Sequence, residues 1–254
     1  MHGRQYKHRM QQLLSHHRER DAQRMRANRE ELAERIAHAL THDGWTEVLK
    51  GLYFIRASAA TGRVHGVSDP SLCVIAQGSK DVHLGEDCFH YDPAHYLVTT
   101  VGLPVVSQIA EASPEAPYLS LRLDLDPSLV SSVMVEVGAP PSRSHASAKA
   151  IDVSSLDANL LDAVVRLVRL VDSPTEGRIM QPLVTREIVF RLVVGAQRER
   201  LRHLTQLSGT ANRIARAVEW LRKAYDKPVR VEQIANELGM SVSGSTLSSK
   251  QSRP

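Results

Sequence analysis

"YLSLRLDL", Tyr118 to Leu125, places Leu119, Leu121, Leu123 and Leu125 in strict alternation with Ser120, Arg122 and Asp124. Successive side chains of a strand point to opposite faces, so this spacing gathers the leucines on one face and aims them at a core. The same texture extends upstream to about Trp45 through "YFIRAS", "SLCVIAQ", "KDVHL", "CFHY", "HYLVTTV" and "PVVSQIA". Gly78, the Gly85-Glu86-Asp87 stretch and Asp92-Pro93 punctuate these runs with turns. Many short strands at close intervals predict an antiparallel sandwich or barrel. Directly after the last strand, Asp126 and Pro127 open a short helix through Val137, because proline is tolerated at the first helical position.

Helical patterns flank this β region on both sides. In "NREELAERIAHAL", Asn28 is placed to cap a helix, with Glu31 reaching back and Leu32, Ile36 and Leu40 on one stripe. Residues 1 to 28 carry few apolar side chains at helical spacing and read as a basic, flexible extension, or as a helix formed only against a partner. Downstream, "APPSRSHASAK" (139 to 149) is a polar linker. Ser154 or Ser155 then caps a helix with Leu160, Leu161, Val164, Val165, Leu167, Val168 and Val171 on a broad apolar face. A second helix follows Ser173-Pro174, from about Ile179 to Leu204, with Leu183, Val184, Ile188, Leu192 and Val193 as its apolar set. Such a pair serves either as internal core or as a dimer seam. The chain is therefore read as α+β.

Composition narrows the function. The 254 residues, 42% of them apolar, suffice for one large domain or two modest ones. The net charge of +4 is unevenly spread: basic ends, residues 1 to 29 and 196 to 254, flank an acidic middle. That asymmetry suits a nucleic-acid-facing segment joined to a separate small-molecule domain. No apolar run reaches membrane-spanning length and the N-terminus has no secretory signal, so a cytoplasmic protein is expected. Cys73 and Cys88 lack C-x-x-C spacing and read as reduced thiols.

Near the C-terminus, "VEQIANELGMSVSG" (231 to 244) carries the offsets of a helix-turn-helix. Ile234 and Leu238 supply the apolar stripe, and Ala235 leaves room where the second helix crosses. Gly239 can take the positive φ that would end the first helix, Met240 is placed to plug the turn and Ser241 to cap the second helix, with the pattern holding to Ser243. The stretch "RIARAVEWLRKAYDKPVRVEQIANELGMSVSG" resembles the start of the DNA-binding domain of AraC-type transcriptional regulators. The blocks "SLCVIAQGSKDVHLGEDCFHYDPAHYLVTT" and "LPVVSQIAEASPEAPYLSLRLDLDPSLV" resemble the cupin-like effector domain of one subgroup of that family. The resemblance covers roughly residues 29 to 244. It implies an N-terminal antiparallel cupin-like β-barrel that senses a small-molecule effector (29–138), a helical linker that forms a homodimer (139–207), and a helix-turn-helix domain that binds DNA (208–254).

After Gly244 the pattern departs from the family. The inward positions of the second helix fall on Ser245, Ser248 and Ser249, and each absent leucine-sized side chain forgoes burial worth roughly 1.5 to 3 kcal/mol. The chain stops eleven residues past Ser243, before the second helix-turn-helix that the family's pattern would add. The DNA-binding domain is thus expected to be truncated and its sequence-specific binding weakened.

Two residues are candidates for the effector site. Cys73 shares one strand face with Ser71 and Ile75, as a small buried hydrophobe or as a thiol lining the cavity and sensing electrophiles or oxidants. His83 could supply the nearby charge if the strands pair as a hairpin around Gly78. His65, His83, His90 and His95 lie near strands, but no His-x-His pair occurs, so no metal and no other cofactor is expected. No nucleophile-base-acid ordering, phosphate-binding glycine loop or paired-carboxylate motif stands out, and the protein is not expected to be an enzyme. The alternatives are a metal-dependent cupin enzyme and a dimeric sensing module without DNA binding.

Overall fold

The computed structural model describes residues 2–138, 150–202 and 204–205. The chain divides into two units after Leu204, and the helices and strands named here all belong to the first. Helix α1 (His2–Ala39) leads into nine strands: β1 (Gly44–Leu49), β2 (Leu52–Ala57), β3 (Val64–Ser68), β4 (Ser71–Gln77), β5 (Ser79–Leu84), β6 (Asp87–Tyr91), β7 (His95–Thr99), β8 (Leu103–Glu111) and β9 (Tyr118–Asp124). Helix α2 (Pro127–Glu136), strand β10 (Ile151–Ser155), helix α3 (Ala158–Arg169) and helix α4 (Pro174–Val194) complete the unit's main elements. All strand pairs are antiparallel. They form a six-stranded sheet in the order β1-β2-β9-β4-β7-β10 and a four-stranded sheet in the order β3-β8-β5-β6. This is the expected α+β class with a cupin-like β domain.

Three layers result. One face of the large sheet packs against the four helices through Phe54, Leu72, Val74, Leu121 and Leu123, opposite Leu32, Ile36, Leu161, Val164 and Ile188. Its other face meets the small sheet through Ile75, Leu97, Tyr118 and Ile151, opposite Val82, Tyr91 and Val105. The leucine face of β9 therefore points at the helices. Its other face, Tyr118, Ser120 and Arg122, looks into the space between the sheets, where Ser120 is only 2% exposed.

Several local expectations hold. Asp126 caps α2, its carboxylate accepting from the Ser128 N–H at 2.8 Å, and Pro127 takes the first turn. Others change. One helix runs across Asn28, which is buried inside α1, so the helix start read there is internal. Burial of Leu32 and Ile36 against α3 holds this part of the helix, and packing outweighs a local capping preference. Ser154 and Ser155 belong to β10, paired with Tyr96 and His95 of β7, and Asp157 caps α3 instead, accepting from Asn159 and Leu160 at 2.8 and 2.9 Å. Helix α4 starts at Pro174 and runs through Pro182, five residues earlier than the pattern suggests.

Charged pairs reinforce the α1–α3 contact. Arg169 donates to both Glu31 oxygens at 2.8 and 2.6 Å, Arg35 donates to Glu31 at 2.7 Å, and Arg35 also pairs with Asp172. Hydrogen bonding from Arg169 first, with Arg35 adding to it against the opposing effect of burial, lowers the Glu31 carboxyl from 4.5 to about 2. A carboxylate depressed on folding stabilises above its unfolded pKa, and that contribution disappears as pH falls toward the folded value. Glu31→Gln is expected to cost about 1–2 kcal/mol at neutral pH, the cluster being partly screened by solvent. In urea titrations the gap between variant and parent should close as pH falls from 4.5 to about 2. A gap constant across that window would show that Glu31 does not act through its charge.

Candidate functional site

The space between the two sheets contains a cavity of about 180 Å³. Strand β4 presents Cys73 to it because Leu72 and Val74, on the opposite face, are committed to the helix layer. Strand register sets Cys73 beside Leu97 on β7 and beside Arg122 on β9. From the small sheet, β5 turns Lys80 and Val82 inward, with Lys80 opposite Tyr91 on β6. Tyr118, Ser107 and Ser120 add hydroxyl groups, and Ile55, Val67 and Val105 extend the apolar wall.

The electrostatics of this space follow from its depth. Burial pushes the Cys73 thiol up, more than Lys80, the Ser71 hydroxyl and Arg122 pull it down. Burial likewise raises the Tyr91 and Tyr118 phenols. The same desolvation lowers the Lys80 amine, since an ammonium loses hydration there. Arg122 is compensated: its Nη2 and Nε lie 2.8 and 3.0 Å from the Asp124 carboxylate, Asp69 sits at 4.0 Å, and its guanidinium stacks 4.9 Å above the Tyr53 ring.

Of the two candidate effector-site residues, Cys73 borders the cavity and His83 does not. Side chains alternate along β5, so Lys80, Val82 and Leu84 share the inner face while Asp81 and His83 point outward. His83 lies opposite Cys88, with its Nε2 4.0 Å from the Cys88 Sγ, and Asp81 pairs with His90 at 2.6 Å on the same outer face. His83 therefore does not stand beside Cys73, and the cations that act on the thiol are Lys80 and Arg122. A reactive thiol needs a lowered pKa, whereas burial here raises it. Lys80, Arg122, Ser120, Tyr91 and Tyr118 belong to no motif and escape a reading of the sequence. The signal that could find them is their parity with Val82 and with the leucines of β9.

His95 hydrogen-bonds Asp92 at 2.7 Å. Among the described residues no three His, Cys, Asp or Glu side chains converge as a metal ion would require. Also among them, no helix is long and apolar enough to cross a membrane. The helix-turn-helix positions Ile234, Ala235, Leu238, Gly239, Met240, Ser241 and Ser243 lie outside the described residues.

The family model described as the N-terminus of AraC-type transcriptional regulators matches residues 48–200. No curated protein matches the sequence. Among solved structures, an apo variant of ToxT from Vibrio cholerae strain SCE256 is 9% identical, with 74% of this chain and 71% of that one covered and a TM-score of 0.45. Unsaturated fatty acid-bound wild-type ToxT from the same strain is 8% identical, at 75% and 68% coverage and a TM-score of 0.44. The AraC-like transcriptional activator CuxR is 14% identical, at 75% and 67% coverage and a TM-score of 0.38.

Proposed function

Because the chain belongs to the AraC-type transcriptional regulators, we propose that it is a ligand-responsive regulator of transcription whose small-molecule effector occupies the cavity between the two sheets. The observation that carries this reading is the double duty of the central strands. β4 and β9 offer Cys73, Ser120 and Arg122 to the cavity, while their opposite faces hold the helices through Leu72, Val74, Leu121 and Leu123. A ligand that shifts these strands must repack the helix layer, because close-packed interiors move between discrete arrangements. The segment after α4 is tied to the same sheet. Gln197, fully buried, donates to Asp152 Oδ2 at 2.8 Å and Ser154 Oγ at 2.7 Å on β10, and Arg200 pairs with Asp152 at 3.0 Å. The role is binding rather than catalysis, in the cytoplasm.

The proposal includes a homodimer formed through α4. Val184, Ile188, Val189, Leu192 and Val193 sit in the core, whereas Ile179, Leu183, Phe190 and Val194 are exposed along one stripe. Leu183 and Phe190 also border a groove of about 520 Å³ between α2 and α4. An exposed apolar stripe at helical spacing suits a second copy of the same helix. Leu183→Glu combined with Phe190→Glu is expected to weaken self-association by roughly 100-fold or more, the loss of two central apolar anchors. Sedimentation equilibrium measures this, and unchanged association in the double variant rejects α4 as the seam.

Output passes to DNA through the helix-turn-helix begun at Ile234, with sequence-specific binding weakened by the serines at 245, 248 and 249. Selection of binding sites from random duplexes by the full chain tests this. Recovery of no enriched sequence supports it, while an enriched site bound at about 10 nM at physiological salt would show recognition intact.

A further inference from the structure

We propose, on the reading that the cavity between the sheets is the effector site, that its ligand is a small monocarboxylate whose charged end pairs with Lys80. The walls are apolar through Ile55, Val67, Val82, Leu97 and Val105, and two cations border them, Lys80 and Arg122. Arg122 is answered by Asp124 and Asp69. Lys80 has no such answer: no carboxylate lines the cavity, and among the described residues its amine has neither an ion pair nor a hydrogen bond. Lys80 is only half-buried, but a cation with reduced hydration and no partner is still unfavourable, and that cost is relieved when a ligand brings the missing negative charge. One uncompensated cation calls for one anionic group. The hydroxyls of Ser107, Ser120 and Tyr118 border the same space and can donate to the second carboxylate oxygen.

Size sets the other limit. The cavity measures about 180 Å³, and an apolar cavity of about 150 Å³ accommodates benzene. The ligand is therefore an aromatic ring or a chain of about six carbons with its carboxylate, and nothing much larger fits without movement of the strands. The lowered Lys80 pKa agrees with an amine poorly solvated until an anion arrives.

The full chain is titrated calorimetrically at neutral pH with benzoate and hexanoate, and in parallel with benzamide and hexanamide, which match them in shape but carry no charge. The carboxylates are expected to bind roughly 30-fold or more tightly than the amides, the loss typical of an unmatched buried charge. Lys80→Met should abolish that preference while still binding the amides, which also shows that the variant is folded. Val105→Phe, which fills the cavity, should abolish binding of all four. Equal binding of acids and amides, a preference that survives in Lys80→Met, or no heat from either carboxylate overturns the proposal. So does benzaldehyde trapped by borohydride on Lys80 without carboxylate binding, which would make the amine a site for imine formation. Failure of the underlying reading looks different: ligands that bind Val105→Phe as well as the parent occupy some other site.

Discussion

Replacing Gly78 with alanine is expected to destabilise the effector domain by about 3–5 kcal/mol, among the largest effects open to a single methyl group. Gly78 carries the chain from β4 of the large sheet to β5 of the small one, and it does so at φ +82°. An L-residue in that region costs about 1–2 kcal/mol by itself. The greater part comes from crowding: a Cβ at Gly78 would run into the Glu111 carbonyl oxygen and stand 3.2 Å from the Tyr118 Cα. Both are backbone atoms of strands, and neither can swing aside as a flexible side chain could. Gly51 is the matched control. Its φ is +74°, but an added Cβ would meet only the Asp124 side chain, with the Cβ at an ordinary 3.5 Å. Gly51→Ala should therefore lose only about 1–2 kcal/mol. Urea unfolding of the two variants separates strain from crowding, and equal losses would refute the clash. Because the Gly78 turn sets Lys80 against Cys73, Gly78→Ala should also weaken cavity ligands.

The second large effect concerns α1. Leu32→Ala together with Ile36→Ala is expected to remove roughly 4–8 kcal/mol, since truncating such buried side chains costs about 2–5 kcal/mol each. Both are 0% exposed, in contact with the helix layer that covers the large sheet. A loss of that size is comparable to the whole stability of an ordinary domain, so the double variant should be unfolded or molten at 37 °C. Circular dichroism and exchange protection of α3 amides report it. A loss under about 1 kcal/mol would mean that α1 is not an integral layer. Glu31→Gln, beside Leu32 on the same helix, is the milder probe of the same contact.

The seven strands β2 and β4 to β9 are legible in the sequence to within a few residues, as is the cap of α2. The strands without a clear signature are β1, β3 and β10. All three lie at the edge of a sheet. β1 and β3 are largely exposed, so they carry little of the alternation that burial imposes on central strands. β10 is hidden by its length and by polar Asp152, Ser154 and Ser155, the first two of which hydrogen-bond to Gln197 and to each other instead of packing. The start of α3 shifts for the same reason, because the serines that resemble a cap are already engaged in the strand.

For the cavity, sequence parity places Cys73 with Ser71 and Ile75, while the suggested neighbour His83 falls on the outer face of β5. His83 and Lys80 are three residues apart on one strand, which puts them on opposite faces. Only the pairing of β5 with β6 and β8 decides which face is inner.

By itself the sequence determined the family, the antiparallel β class, the cap of α2 at Asp126, and the sets of side chains that share a face. These depend on spacing along the chain. Tertiary structure alone decided that the leucines of "YLSLRLDL" pack on helices while Ser120 and Arg122 look into a cavity, and that Lys80 is the cation unanswered there. A period of two residues sorts side chains into two faces without labelling either. The label comes from what lies above and below the sheet, and that is set by segments distant in sequence: α1 and α3 on one side, β5 and β8 on the other.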